Sequence, residues 1–254
     1  MITPRRTGKL AAAFNPIADD GDELHFCSTC AFGSVCTANG YDKAALLDLH
    51  CLVEHIGPFH TGDHVFRIND AFSAIYAVRA GTVKTYLVDD TGREQVLGFY
   101  LPGEMVGLNA IYPARYPCNA VALDTVTLCH FSFPAMMTLA TRMPGLQEQL
   151  FRLISNDIGV ASLLAGDYAA DERLAAFLVS FAQRLASRGF SSTRFYLSMP
   201  RADIANYLRL AAETVSRVLR RFQDDGLICV DGREMEILDP PRLQHLARCI
   251  LNNA

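Results

Sequence analysis

No apolar run in this chain approaches the ~20 residues that a membrane-crossing helix requires, so the sequence predicts no membrane segment. It also lacks an excess of positive charge. The formal net charge is −4, which excludes a globally basic nucleic-acid binder and confines any such site to a local patch. The opening stretch MITPRRTGKLAAAFNPI is basic but holds no apolar core of the kind that directs export. A cytoplasmic protein is therefore expected. In that reducing compartment its eight cysteines favour metal ligation or redox chemistry over structural disulfides. Catalytic signatures are missing too. There is no H-E-x-x-H, no P-loop and no G-x-G-x-x-G, and the histidines, among them His50, His55, His60 and His64, make no triad-like arrangement. Those four histidines are a weak metal-site pattern, outweighed by solvated or core histidines. An enzyme is not expected, and no internal repeat or low-complexity segment stands out.

What is present is a chain of 254 residues, half of them apolar, long enough for two compact domains. Its texture divides it into four. Residues 1–50 are irregular and hold a cysteine cluster, running into a helical pattern around YDKAALLDLHCLVEHI. Residues 51–135 carry short alternating segments (HVFRI, AIYAVRAGTVKTYLV, EQVLGFY, VALDTVTLCHFSF) punctuated by Gly62, Gly81, Gly92, Gly98, Gly103 and Gly107. Turns at that spacing predict a small antiparallel roll or barrel. Within 136–168 the period changes to that of a helix from Met143 onward. Leu146, Leu150, Leu153, Val160 and Leu164 line one face, and Phe151, Ile154, Ile158, Ala161 and Ala165 line a second. One stripe packs on the helix's own domain. The second needs another partner, either a second domain of the chain or, as we read it, a symmetric copy at a dimer axis.

Residues 169–254 read as an amphipathic helix ending at Gly189, then helix, turn, helix, and two strands joined through Asp231-Gly232, a strong hairpin signal. The expected fold is thus α+β: an antiparallel β-roll, a long dimerisation helix and a C-terminal winged helix-turn-helix. Between Arg188 and Arg221 seven arginines face two acids, Asp203 and Glu213, a local excess of +5 in an acidic chain. Within AETVSRVLRRF, Glu213, Ser216 and Arg217 share one helical face at i, i+3 and i+4. Arginine pairs with guanine, a carboxylate accepts from cytosine, and serine is permissive. Arg220 and Arg221 suit phosphate contacts, which position the protein rather than specify a sequence.

The segment CSTCAFGSVC places Cys27, Cys30 and Cys36 at C-x2-C-x5-C spacing. Three such thiols fit zinc, an iron–sulfur cluster or a plain loop. Zinc sites of four cysteines usually use two paired knuckles, whereas a cubane takes one cysteine per iron. Cys51, Cys229 and Cys249 read as ordinary buried small side chains.

The stretches CSTCAFGSVC, GREQVLGFYLPGEMVGLNAI, DERLAAF and ETVSR together resemble the CRP/FNR superfamily of transcription regulators, specifically its FNR branch, from Cys27 to about Arg248. That resemblance implies an oxygen-responsive DNA-binding regulator. Its E-x-x-S-R motif, here Glu213, Ser216 and Arg217, would read a TTGAT half-site, a homodimer would read two, and RNA polymerase would be a partner. It also implies a [4Fe–4S] cluster on three N-terminal cysteines and a fourth from the roll. Cys118 and Cys129 are the candidates for the fourth. The family's ligand follows an A-L-[DE] stretch and precedes a helix opening M-P, so ALDTVTLCHFSF before RMPGL matches Cys129 and leaves Cys118 as an extra cysteine. The implied ligands are Cys27, Cys30, Cys36 and Cys129. Oxygen attack on the cluster would then loosen dimerisation and DNA binding.

The superfamily's cyclic-nucleotide branch uses an Arg-Ser pair where ARYPCNAVAL here has Pro117 and Cys118, so no cyclic-nucleotide site is expected. The loop Asp89, Asp90, Thr91, Gly92 and Arg93 resembles the family's polymerase-contact loop and reads equally as a polar hairpin turn. Two departures stand out. From Arg152 to DERLAAF the chain is about three residues shorter than the family pattern, and the outer stripe Phe151, Ile154, Ile158, Ala161 lacks the charge that helps keep cluster-free relatives monomeric, with Asp157 only beside it. Arg209 stands in the helix-turn-helix turn where the family has glycine. The competing readings are a zinc-stapled regulator without an oxygen response and an iron–sulfur electron carrier, the latter having no use for ETVSR.

Overall fold

A computed structural model describes residues 53–164 and 166–251, with backbone alone at 156 and 158–164. Among the described residues eight strands come first: β1 (Val53–Phe59), β2 (His64–Phe66), β3 (Ala74–Ala80), β4 (Val83–Val88), β5 (Glu94–Tyr100), β6 (Met105–Val106), β7 (Asn119–Ala122) and β8 (Val126–Ser132). They form two four-stranded antiparallel sheets in the orders β1-β8-β3-β6 and β2-β7-β4-β5. The predicted roll is present.

Alternation along β8 shows why these residues make sheets. Val126 and Leu128 are fully buried and point into the roll with Phe66, Val78, Val83 and Ala122. Cys129 and Phe131 point the other way, into a second apolar cluster. A strand buried on both faces in this manner has nowhere to slip. The β3–β4 turn depends on Gly81: its φ is 81°, and a Cβ there would stand 2.4 Å from both Asp124 Oδ1 and the Thr125 carbonyl oxygen. Only glycine meets both demands.

The second cluster is where the helices begin. Helix α1 (Phe133–Ala140) and helix α2 (Pro144–Leu164) lay Met136, Leu139, Leu146 and Leu150 over Ile75, Ala77 and Phe131. After α3 (Ala170–Ala186) come β9 (Arg194–Tyr196), α4 (Arg201–Tyr207), α5 (Ala212–Asp224), β10 (Ile228–Asp231), β11 (Glu234–Ile237) and α6 (Pro240–Leu251). Sheet order β10-β11-β9 makes the wing, and Asp231 pairs with Glu234 across the Gly232 turn as the Asp-Gly signal requires. In α5, Val215, Val218, Leu219 and Phe222 are buried at i, i+3, i+4 and i+7. The core does not stop between the halves. Val96, Phe99 and Leu101 from the roll join Phe177, Phe181 and Leu197 in one cluster.

Three expectations need correction. Helical spacing in YDKAALLDLHCLVEHI does not extend to its end: Val53 to Ile56 belong to β1, paired with β8 from Val53↔Phe131 to Ile56↔Leu128 (residues 41–52 lie outside the described residues). Val53 and Ile56 fit a helical face as well as a strand, and the open edge of β8 decides the matter. Cys229 and Cys249 are exposed, not buried. On β10 the alternation buries Ile228 and turns Cys229 out, and on α6 the buried stripe is Leu243, Ala247 and Ile250. Strand β6 and helix α1 were not anticipated.

Phe181 is 2% exposed and its ring lies 5.9 Å from that of Phe177 and 5.3 Å from that of Phe195. Phe181→Ala is expected to destabilise the protein by about 3–5 kcal/mol, read from the shift of the urea midpoint at unchanged m-value.

Candidate functional site

Helix α4, the turn 208–211 and helix α5 form the helix-turn-helix. The turn is closed by Leu210 N–H to Ala205 O (2.9 Å) and Arg209 N–H to Asn206 O (3.0 Å). That six-to-one closure needs a left-handed residue after the helix, and Arg209 supplies it at φ 55°. The chain therefore keeps the geometry that glycine usually provides. Arg173 of the DERLAAF motif holds the turn from behind, donating from Nη1 to Leu208 O (3.1 Å), from Nε to Tyr168 O (2.9 Å) and from Nη2 to Gly166 O (2.9 Å).

With its apolar stripe buried, α5 presents Glu213, Arg217 and Arg220 to solvent and Ser216 half-buried between them. A hollow beside this face is lined by Arg201, Ser216, Arg217, Leu219, Arg220 and Gln223. Arg201, at the start of α4, is a cation that the sequence reading left unassigned. Its signal was the arginine run itself, but only the crossing of α4 and α5 brings it to the same hollow. Arg221 goes elsewhere: its guanidinium is ion-paired with Asp171 of α3, so it braces the recognition helix instead of extending the open face. Gln223 accepts from Val230 N–H (3.1 Å) and ties the wing to the last turn of α5. The arrangement offers a cationic helix suited to a nucleic-acid groove. Its exposed arginines, Arg217 and Arg220, outnumber the one acid on their stretch, Glu213, while the exposed Asp224 stands at the far end of the helix.

The cysteines separate by face. Cys129 is half-buried on the outer face of its sheet, opposite His55 on β1 and Ala77 on β3. It packs in the cluster that contains Leu150, and against which Leu153 and Ile154 of α2 also lie. Cys118 is 0% exposed inside the roll, where Asn109 Nδ2 approaches its sulfur at 3.6 Å and burial pushes the thiol pKa up. The two thiols thus occupy different compartments, and of the two Cys129 is the more accessible. Cys27, Cys30 and Cys36 lie outside the described residues. Of the histidines singled out, His64 Nε2 is 3.0 Å from Tyr86 Oη, His55 Nδ1 is 2.9 Å from Arg79 Nη1, and the backbone N–H of His60 donates to Asp63 Oδ2, while His50 lies outside the described residues.

On α2, Leu146 and Leu150 are buried, Phe151 is 70% exposed and Asp157 is exposed. Ile154, assigned by spacing to the outer stripe, is half-buried against the roll cluster, while the side chains of Ile158 and Ala161 lie outside the description. In the β4–β5 hairpin, Asp89 Oδ1 accepts from Thr91 N–H (2.9 Å), Thr91 Oγ1 (2.6 Å) and Arg93 N–H (2.9 Å), and its Oδ2 accepts from Arg93 Nε (2.9 Å). These bonds, the Thr91 hydroxyl's foremost, hold the Asp89 carboxyl below its ordinary range. Gly92 closes the loop at φ 81°. Asp89, Thr91 and Arg93 therefore shape the loop, and Asp90 is left to the surface.

Comparison with known proteins agrees with this geometry. A Crp-like helix-turn-helix domain family matches residues 172–246, and the family described as a cyclic nucleotide-binding domain matches 57–142. The transcriptional activator protein Anr of Pseudomonas protegens is 41% identical over 87% of this chain and 92% of its own length. The fumarate and nitrate reduction regulatory protein of Escherichia coli K12 is 37% identical over 91% and 93% respectively. Among solved structures, FixK2 from Bradyrhizobium japonicum superposes with a TM-score of 0.70 at 26% identity, covering 76% of this chain and 96% of that one.

The left-handed arginine makes a test. Arg209→Gly removes a Cβ clash and is expected to stabilise the protein by about 1 kcal/mol, seen as a higher thermal midpoint. A fall in midpoint would mean that the Arg209 side chain makes contacts worth more than its backbone strain.

Proposed function

Because the chain belongs to the FNR branch of the CRP/FNR family of transcription regulators, we propose that it is an oxygen-responsive regulator whose [4Fe–4S] cluster, held by Cys27, Cys30, Cys36 and Cys129, controls DNA binding by a homodimer. The observation that carries this reading is the position of Cys129. It stands on the sheet face covered by α1 and α2, in one apolar cluster with Leu150 and next to Leu153 and Ile154. A ligand there is within one packing layer of the helix proposed to form the dimer axis. The cluster, when bound, supplies an oxygen-sensitive inorganic core tied to four thiolates.

This chain's residues do the rest. Cys129 would anchor 1–50, the cluster-binding region, to the roll of 51–135. The roll transmits the anchor to α2 within 136–168 through Phe131, Met136, Leu146 and Leu150. The exposed Phe151 would meet its copy across the axis, with Ile158 and Ala161 further along. In the winged helix of 169–254, Glu213, Ser216 and Arg217 would read the bases of a TTGAT half-site, with Arg201, Arg209 and Arg220 on phosphates. Dimeric binding then requires two half-sites about one helical turn apart. A bias of a few kcal/mol between two arrangements of α2 is enough to switch it. The hairpin around Asp90 would offer its rigid turn to RNA polymerase.

The test is anaerobic purification with iron and sulfide analysis and a visible spectrum, followed by admission of air while binding to a TTGAT palindrome is recorded. About four irons and four sulfides per chain, lost in air together with DNA binding, are expected. Cys129→Ser abolishes the cluster, whereas Cys118→Ser retains it. A colourless zinc protein that binds equally in air overturns the oxygen reading and leaves the regulator. Since the seam stripe carries no charge, the cluster-free protein is expected to remain dimeric, and sedimentation showing a clean monomer would contradict that.

A further inference from the structure

Helix α4 is held to the roll by a polar seam that no DNA contact explains. Asp203, Asn206 and Tyr207 lie at i, i+3 and i+4, so they share one face of α4, and all three reach the β4–β5 hairpin or its core. Lys84 of β4 sits between two carboxylates, with Nζ 3.0 Å from Asp203 Oδ2 and 3.1 Å from Glu94 Oε2 and 5.0 Å from the Tyr86 ring centroid. Its side chain is 10% exposed and that of Asp203 is 17% exposed. Asn206 binds the backbone of β5 at two points, accepting from Val96 N–H (2.8 Å) and donating to Glu94 O (2.7 Å). Tyr207 packs edge-on to Phe99, centroids 5.4 Å apart.

A buried ammonium needs partners to remain charged. Burial alone would lower the Lys84 pKa, but Asp203 and then Glu94 outweigh it and raise it. The charge is therefore kept, and half of its pairing belongs to the helix that precedes the recognition helix. Glu94 could satisfy Lys84 within the hairpin. Asp203, by contrast, has Lys84 as its ion-pair partner among the described residues. Loss of Lys84 strands an acid on α4 against the roll, which pushes the two pieces apart.

We infer that Lys84 is a positioning residue for DNA binding: from the roll it fixes Asp203, and with Asn206 on the β5 edge it sets the angle at which the α4–α5 pair meets the operator. The inference rests on the reading of α5 as the DNA-reading helix. Lys84 itself is on β4 and takes no part in the hollow lined by Arg201 and Arg217. In a dimer both reading heads must land in register, so a loosened angle is counted twice.

The experiment uses full-length protein purified without oxygen, as wild type and as Lys84→Met, Lys84→Arg, Asp203→Asn and the Lys84→Met/Asp203→Asn double variant. Affinity for a TTGAT palindrome is measured by fluorescence anisotropy, hydrogen exchange at the Val96 amide by mass spectrometry, and folding by thermal midpoint. Lys84→Met and Asp203→Asn are each expected to weaken binding about tenfold and the double variant no further, as for two members of one coupled pair. Lys84→Arg stays within about twofold because it keeps the charge. Val96 exchanges faster in the two single variants. Multiplied effects in the double variant, wild-type affinity in Lys84→Met, or an Arg variant as weak as the Met one each overturn the proposal. Should Lys84→Met fail to fold, Asp203→Asn decides: unchanged affinity and unchanged Val96 protection overturn it. Should wild type not prefer the palindrome over a scrambled duplex while Val96 protection still falls in Lys84→Met, the operator reading is lost and the seam stands.

Discussion

The register of β8 is the constraint on which the rest of the structure depends. Lying between β1 and β3, it fixes which of its side chains enter the roll and which face the helices. Val126 and Leu128 take the interior, and Cys129 and Phe131 take the helix side. A shift of one residue would exchange the two sets. Cys129 would then sit inside the roll as Cys118 does, closed to any ligand from the N-terminal segment. The parity of a single strand thus decides whether a thiol and the long helix α2 share a cluster.

Charge is distributed by a similar economy. The chain is acidic overall, yet several acids on the C-terminal half or at its seam are consumed internally: Asp171 by Arg221, Asp203 by Lys84, and Glu104 by Arg184, which also donates to the Phe99 carbonyl. What remains open on and beside α5 is Arg201, Arg217 and Arg220, with the acids Glu213 and, at the last turn, Asp224. A net charge of −4 and a cationic face on α5 coexist because Asp203 pairs with the roll, Glu104 pairs with Arg184, and Asp171 pairs with Arg221.

Much of this was legible in the sequence where one local rule dominates. Asp231-Gly232 announced its hairpin, the arginine run announced the face of α5, and the i, i+4 stripe through Leu146 and Leu150 announced the packed side of α2. Legibility failed where two elements compete for a residue or meet only in the fold. The tail of the helical pattern became β1 because β8 offers a partner that a short window does not contain. Cys229 and Cys249 look apolar by type, and their exposure follows from parity and helix phase. Arg201, Arg221 and Lys84 carry the same kinds of charge as many surface residues. What each does depends on the crossing of α4 and α5, on the approach of α3, and on the docking of α4 against β5, none of which has a sequence-local signature. The left-handed Arg209 was legible as an anomaly, since the closure of a helix-turn-helix demands that conformation whatever residue stands there.

The edges of the roll carry a further consequence. Strand β1 loses its regular pairing between Ile56 and Phe59, where Pro58 has no N–H to offer a neighbour. At the opposite edge of that sheet β6 is only two residues long, and in the other sheet β2 has three, while β5 has its Val96 N–H and Glu94 carbonyl occupied by Asn206. Each border is interrupted, short or covered, as sheets that must not polymerise tend to be. The fold thereby discourages copies from adding strand to strand, so the roll does not offer itself as a seed for fibres.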